Sequence, residues 1–196
     1  MPSLGKDSKI LHRSVQCSFF ILVAALAIAN GFFIKQNRDL KAAISKRQPE
    51  YLEIGQAVPP LVAHKLSGET TTINYSDSPR TVLFVFSADC RACEQTAPYW
   101  REIERAFDSS KARTFALSLG DAEKSRHFLD FHGLTSELLS NIDTRTRQAY
   151  RLSMTPLTIV VNSEGRIERM WAGTLSENQI KDVESYFHIS LSAEMK

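Results

Sequence analysis

TVLFVFSADCRACEQTAPYW, running from Thr81 to Trp100, changes character twice. Val82 to Phe86 is an unbroken apolar run, the pattern of a short strand buried on both faces. Ser87 to Asp89 is a small polar turn. Beyond Cys90-Arg91-Ala92-Cys93, the apolar residues Ala97, Trp100, Ile103 and Phe107 recur at helical spacing. The stretch predicts a strand that delivers two cysteines to the first turn of a helix, which is the arrangement of a redox device.

The first N–H groups of a helix have no intrahelical partner and carry the positive end of its dipole. They therefore favour a thiolate over a thiol. Cys90 is placed to become the nucleophile, and Cys93, one turn on, is close enough to resolve a mixed disulfide. Arg91 favours the thiolate and Asp89 opposes it, and sequence alone does not rank the two. Metal binding is the rival chemistry, with Cys90 and Cys93 joined by His127 and His132. The stretch from Cys93 to His127 is far longer than that of a zinc finger, so thiol chemistry is the preferred reading. His12, His64 and His188 read as surface or interfacial residues, and Trp100 and Trp171 as core or groove-wall aromatics.

A chain of 196 residues with 43% hydrophobic content supports one well-buried domain. A formal net charge of +2, with no basic stretch interleaved with aromatics, gives no sign of nucleic-acid binding. Three cysteines exclude a disulfide-stapled scaffold and leave one close pair and an odd residue, Cys17.

Further motifs extend the pattern. They are an opening IGQAVPP from Ile54, Pro98 shortly after Cys93, MTP at Met154 to Pro156, and VNSEGRI at Val161 to Ile167. From about Ile54 to Phe187 the chain resembles the thioredoxin superfamily, and within it the membrane-anchored TlpA- and ResA-like thiol–disulfide oxidoreductases. The resemblance implies an α/β thioredoxin-like fold: a mixed central sheet flanked by helices, with an N-terminal hairpin extension and an inserted helix. It implies a cis-proline at Pro156 packed against the active pair, with the backbone of Thr155 offered to an extended substrate peptide. It also implies protein clients carrying cysteines or disulfides, a transmembrane electron donor and no organic cofactor. Two residues depart from the family pattern. Asp89 replaces the aromatic usual before the first cysteine. Phe84 and Thr96 stand where relatives often place a buried acid, leaving Glu94 as a substitute that, on a helix, equally faces solvent.

Val15 to Ile34 is uncharged and long enough to span a bilayer. Ala27-Ile28-Ala29 offers a signal-peptide cleavage box, but apolar character resumes at Phe32 to Ile34, which favours a retained anchor. The expected organisation is a cytoplasmic tail (1–14), a transmembrane signal anchor (15–34), a polar stalk (35–50) and the thioredoxin-like domain (51–190). Cys17 then reads as an inert thiol within the span. Lysines and arginines are more numerous after the span than before it, which favours a cytoplasmic domain. The resemblance implies the opposite, the extracytoplasmic side of a bacterial membrane, and is preferred.

The remaining elements follow from local signals. Leu66 to Thr70 is a turn before a short strand at Thr71 to Ile73, and Thr114 to Leu119 is a buried strand. Asp121 and Gly133 cap a helix that, with Leu134 to Ile142, forms the insertion. Asp143 caps a further helix through Tyr150 and Leu152. Leu157 to Val161 and Arg166 to Trp171 form a hairpin, and Ser176 with Gln179 makes a capping box for the last helix. The expected activity is thiol–disulfide exchange with protein clients. A peroxiredoxin-like peroxidase and a non-catalytic metallochaperone or docking module are the alternatives.

Overall fold

The structure is a computed structural model that describes residues 21–23, 25–41, 51–107 and 112–191. The chain divides into two units, Met1–Gln48 and Pro49–Lys196. In the first, residues 21–23 and 25–41 are helical (α1), and apolar side chains such as Ile28 and Phe33 are exposed. Among the described residues no helix is long and apolar enough to cross a membrane. The expected tail, Val15–Phe20 with Cys17, Ala24 and the stalk beyond Lys41 lie outside the described residues.

In the second unit, the described residues form one sheet of seven strands. These are β1 (Leu61–Lys65), β2 (Thr70–Ile73), β3 (Arg80–Phe86), β4 (Arg113–Ser118), β5 (Glu137–Ser140), β6 (Leu157–Asn162) and β7 (Ile167–Ala172). Their order across the sheet is β2-β1-β5-β4-β3-β6-β7. The helices are α2 (Arg91–Ala106), α3 (Ala122–His132), α4 (Thr144–Ala149) and α5 (Glu177–Phe187). This is the mixed α/β architecture expected of a thioredoxin-like domain.

β3 is central because every residue from Thr81 to Phe86 is buried. It pairs parallel with β4 and antiparallel with β6. Side chains alternate across the pleat. Leu83 and Val85 enter one core with Leu117, Ile159 and Tyr150, while Val82, Phe84 and Phe86 enter the other with Trp100, Phe128 and Val183. A strand covered on both faces has no polar side to show, hence the unbroken apolar run.

The expected caps are in place. Asp121 accepts from the Lys124 N–H, and Gly133 closes α3 with φ 65°, a conformation in which a Cβ would be strained. Asp143 accepts from Arg145 and Thr146, and Ser176 with Gln179 forms the reciprocal capping box. The N-terminal hairpin joins β1 to β2 through a turn at Gly68. Just before it, Gly55 to Ala57 pairs with Arg166 and Ile167 and covers the start of the β7 edge.

One expectation needs correction. Leu134 to Ile142 does not simply extend a helical insertion: it contains β5, parallel to β4 and antiparallel to β1, which links the hairpin to the rest of the sheet. Glu104 on α2 fixes the approach to this strand. Its carboxylate accepts from the N–H and hydroxyl of both Thr135 and Ser136. α4 also ends earlier than expected, at Ala149, with Tyr150 as its cap.

Removing the Glu104 acceptor leaves those donors without their partner, and Ser136 is buried. Glu104→Ala should therefore destabilise the protein by about 2 kcal/mol. It should lower the urea midpoint without changing the slope. Glu164→Ala, which breaks only a surface ion pair with Arg166, should change stability by less than about 0.5 kcal/mol. Equal losses in the two variants would contradict this role for Glu104.

Candidate active site

The end of β3 at Phe86 and the turn Ser87–Asp89 deliver Cys90 to the N-cap position of α2. The Cys93 and Glu94 N–H groups donate to the Cys90 carbonyl. The Cys90 side chain makes no cap hydrogen bond, so its half-buried thiol sits at the positive end of the helix without closing it. Cys93, one turn further, is fully buried, and both residues are thiols.

Opposite them is the segment entering β6. The Thr155–Pro156 peptide bond is cis, and the Thr155 carbonyl lies 3.8 Å from Cys90 Sγ. Pro156 is buried, and its carbonyl accepts from Gly173 N–H beyond β7. All four sequence-predicted residues, Cys90, Cys93, Thr155 and Pro156, thus belong to elements that meet at one end of the sheet.

Their spacing is fixed by Trp100, two helical turns beyond Cys93 on the buried face of α2. Its indole is fully buried, stacks on Phe84 with ring centroids 5.3 Å apart, and meets Phe86 edge-on. Its Nε1–H donates to Thr158 Oγ1 at 2.7 Å. One side chain therefore ties the cysteine helix to the strand that Pro156 opens.

The two thiols differ electrostatically. Partial burial pushes the Cys90 thiol up, but the Cys93 thiol, the Thr155 hydroxyl and the nearby Cys93 and Ala92 N–H groups favour the charged sulfur and outweigh it. Cys90 is held below the ordinary cysteine value. Burial is also the main influence on Cys93, joined by its hydrogen bond to Cys90, and the Cys93 thiol is pushed up to about 12. The pair therefore favours a thiolate at Cys90 and a thiol at Cys93.

Asp89 and Arg91 both face solvent. Asp89 is paired with Lys124 of α3 at 3.0 Å, which offsets its opposition to a thiolate. This pairing across 35 residues was not legible in sequence. Phe84 is occupied in stacking, and the Thr96 hydroxyl donates to the Ala92 carbonyl. Glu94 is exposed. Among the described residues, the buried polar side chains are all serine or threonine, so no buried carboxylate accompanies Cys93.

The histidines do not converge on the cysteines. His127 is exposed, and His132 packs on Phe128 with ring centroids 4.4 Å apart. Among the described residues no three His, Cys, Asp or Glu side chains are grouped as a metal ion requires. His64 contacts Thr70 on the hairpin and His188 caps α5. His12 lies outside the described residues.

A sequence model of the AhpC/TSA family matches residues 54–170. Over 134 residues the chain is 23% identical to the thiol-disulfide oxidoreductase ResA of Bacillus subtilis, covering 68% of this chain and 75% of that one. ResA of Geobacillus thermodenitrificans is 20% identical over 179 residues, 91% of this chain and 95% of the relative. Among solved structures, the thioredoxin domain of a thiol-disulfide oxidoreductase from Bacteroides vulgatus superposes with a TM-score of 0.56 at 18% identity. That match covers 69% of this chain and 99% of the other. The thioredoxin-like, ResA-like resemblance read from the motifs is borne out.

The inequivalence of the thiols has a kinetic signature. In the reduced protein, iodoacetamide should label Cys90 first, with a pH midpoint below that of an ordinary cysteine. Cys93 should stay unreactive until well above pH 10, given a thiol pushed up to about 12. Cys93→Ala removes a hydrogen bond to the thiolate and should shift the Cys90 midpoint upward. Parallel labelling of the two cysteines would contradict this assignment.

Proposed function

The chain belongs to the AhpC/TSA family, and from that premise we propose that it is a membrane-tethered thiol–disulfide oxidoreductase acting on protein clients. Cys90 is the nucleophile and Cys93 the resolving thiol. The observation that carries this reading is the Cys90 thiol at the α2 N-cap, 3.8 Å from the Thr155 carbonyl, with Cys93 buried behind it. The curated ResA relatives carry the name of the same activity.

The reaction balances without a cofactor. The Cys90 thiolate attacks one sulfur of a client disulfide, that bond breaks, and the departing client sulfur takes a proton. A disulfide now joins Cys90 to the client. Cys93 loses its proton and attacks the Cys90 sulfur, forming the Cys90–Cys93 disulfide and releasing the client's second thiol. Two electrons pass from protein to client. With no buried carboxylate beside it among the described residues, Cys93 gives up its proton towards solvent or to the departing sulfur. A transmembrane dithiol donor restores the reduced pair.

The tether is the apolar stretch Val15–Ile34, supported by its length and by the exposed apolar side chains of its described part. The redox domain faces the extracytoplasmic side, where client disulfides persist.

One experiment addresses activity, tether and side together. Cells expressing Cys93→Ser should accumulate mixed disulfides on a non-reducing gel, retained in carbonate-washed membranes. Cys90→Ser should trap none. A chain starting at Pro49 should be recovered in the soluble fraction. A membrane-impermeant maleimide applied to intact spheroplasts should block Cys90. Equal trapping by both cysteine variants would reverse the assigned roles. Soluble full-length protein would remove the tether, and labelling only after lysis would move the domain inside. Consumption of hydrogen peroxide with no trapped client would replace exchange by a peroxidase.

A further inference from the structure

An open groove of about 740 Å³ lies beside the reactive cysteine, between the turn that precedes Cys90 and helix α3. Ala88 and Asp89 begin it, immediately before Cys90, and α2 contributes Glu94. Thr155 is not part of its wall. A client joined to Cys90 therefore meets two separate surfaces, the Thr155 carbonyl and this groove.

Its charges are unbalanced. Asp89, Glu94 and Asp130 line it against a single ammonium, Lys124, together with His127 and His132. Asp89 is held by Lys124 at 3.0 Å, and Asp130 by Arg126 at 3.5 Å. Glu94 has no ion-pair partner among the described residues. Burial lowers the His132 imidazole against the opposing pull of Glu94, so it stays neutral near pH 7 and does not compensate that carboxylate.

The rim carries Phe131, which is 86% exposed, the most exposed large apolar side chain among the described residues. Its neighbours Phe128 and Leu129 point into the core. Packing of the domain does not require an aromatic at 131, and aromatic side chains, phenylalanine included, are enriched where proteins meet their partners.

We propose that this groove docks an extended client segment carrying, close to its reactive cysteine, an apolar side chain for Phe131 and a lysine or arginine for Glu94. The inference rests on the thiol-exchange reading and adds a preference to it. The negative groove repels acidic flanks and draws basic ones, and Phe131 supplies the apolar anchor. Asp89 stays committed to Lys124, leaving Glu94 as the carboxylate that selects.

The test uses reduced full-length protein and three disulfides. Two are disulfide-linked dimers of a short peptide with leucine beside its cysteine and either lysine or glutamate two residues away. The third, hydroxyethyl disulfide, is neutral, too small to occupy the groove, and serves as an internal reference. Wild type should reduce the lysine peptide with a kcat/KM about tenfold above the glutamate peptide. Phe131→Ala should lower the ratio of peptide to hydroxyethyl disulfide rates by about tenfold. Glu94→Lys should invert the preference between the two peptides. Ratios unchanged in both variants would overturn the docking site while leaving the exchange activity standing. Failure of wild type to reduce any of the three would overturn the exchange reading itself. Rates that rise more steeply than enzyme concentration, and lose that rise in Phe131→Ala, would assign the face to a second copy of the chain and overturn the client assignment.

Discussion

A single hydrogen bond from an indole holds the two halves of the site in register. Trp100 lies on the same face of α2 as Cys93 and reaches Thr158, two residues beyond Pro156. Its ring is packed between the core and the two phenylalanines of β3. If the helix slid along the sheet, the indole N–H would lose a buried partner and the stacking on Phe84 together. Truncating so large a buried side chain typically costs about 3–5 kcal/mol. The cysteines and the Thr155 carbonyl are thus held by packing that lies below the reacting atoms.

Upon that frame, one helix turn makes two like residues unlike. Cys90 lies at the positive start of the helix beside groups that favour its charged form, whereas Cys93 is enclosed by apolar neighbours and keeps its proton. Neither effect needs a flanking charge. The Asp89 carboxylate is answered by Lys124 from the neighbouring helix rather than by the adjacent Arg91. The same helix, α3, that neutralises Asp89 carries the exposed Phe131, so the insertion shapes both the electrostatics and the surface around the reactive thiol.

What could be read in the sequence was what local chemistry determines. The unbroken apolar run of β3, the cysteines at a helix start, the caps at Asp121, Gly133 and Asp143, and the box of Ser176 with Gln179 each depend on residues a few positions apart. β5 was missed because its adjacent Leu138 and Leu139 enter opposite cores. Four residues give no periodicity to distinguish a strand from the tail of a helix. The Asp89–Lys124 pair and the Glu104 clamp on Thr135 and Ser136 escaped for a different reason: they join elements that only the folded sheet brings together. Phe131 left a faint mark, standing off the apolar stripe that Phe128 and Leu129 define.

Thiol–disulfide exchange requires that Cys90 and Cys93 act as one reversible two-electron couple. Full-length protein equilibrated across a series of glutathione redox buffers, quenched with acid and mapped by peptide mass spectrometry, tests it directly. A single intramolecular Cys90–Cys93 disulfide should form and disappear reversibly, with about 30 mV of buffer potential per tenfold change in its ratio to the dithiol. Glutathione retained on Cys90 while Cys93 remains a thiol, across the whole series, would contradict it.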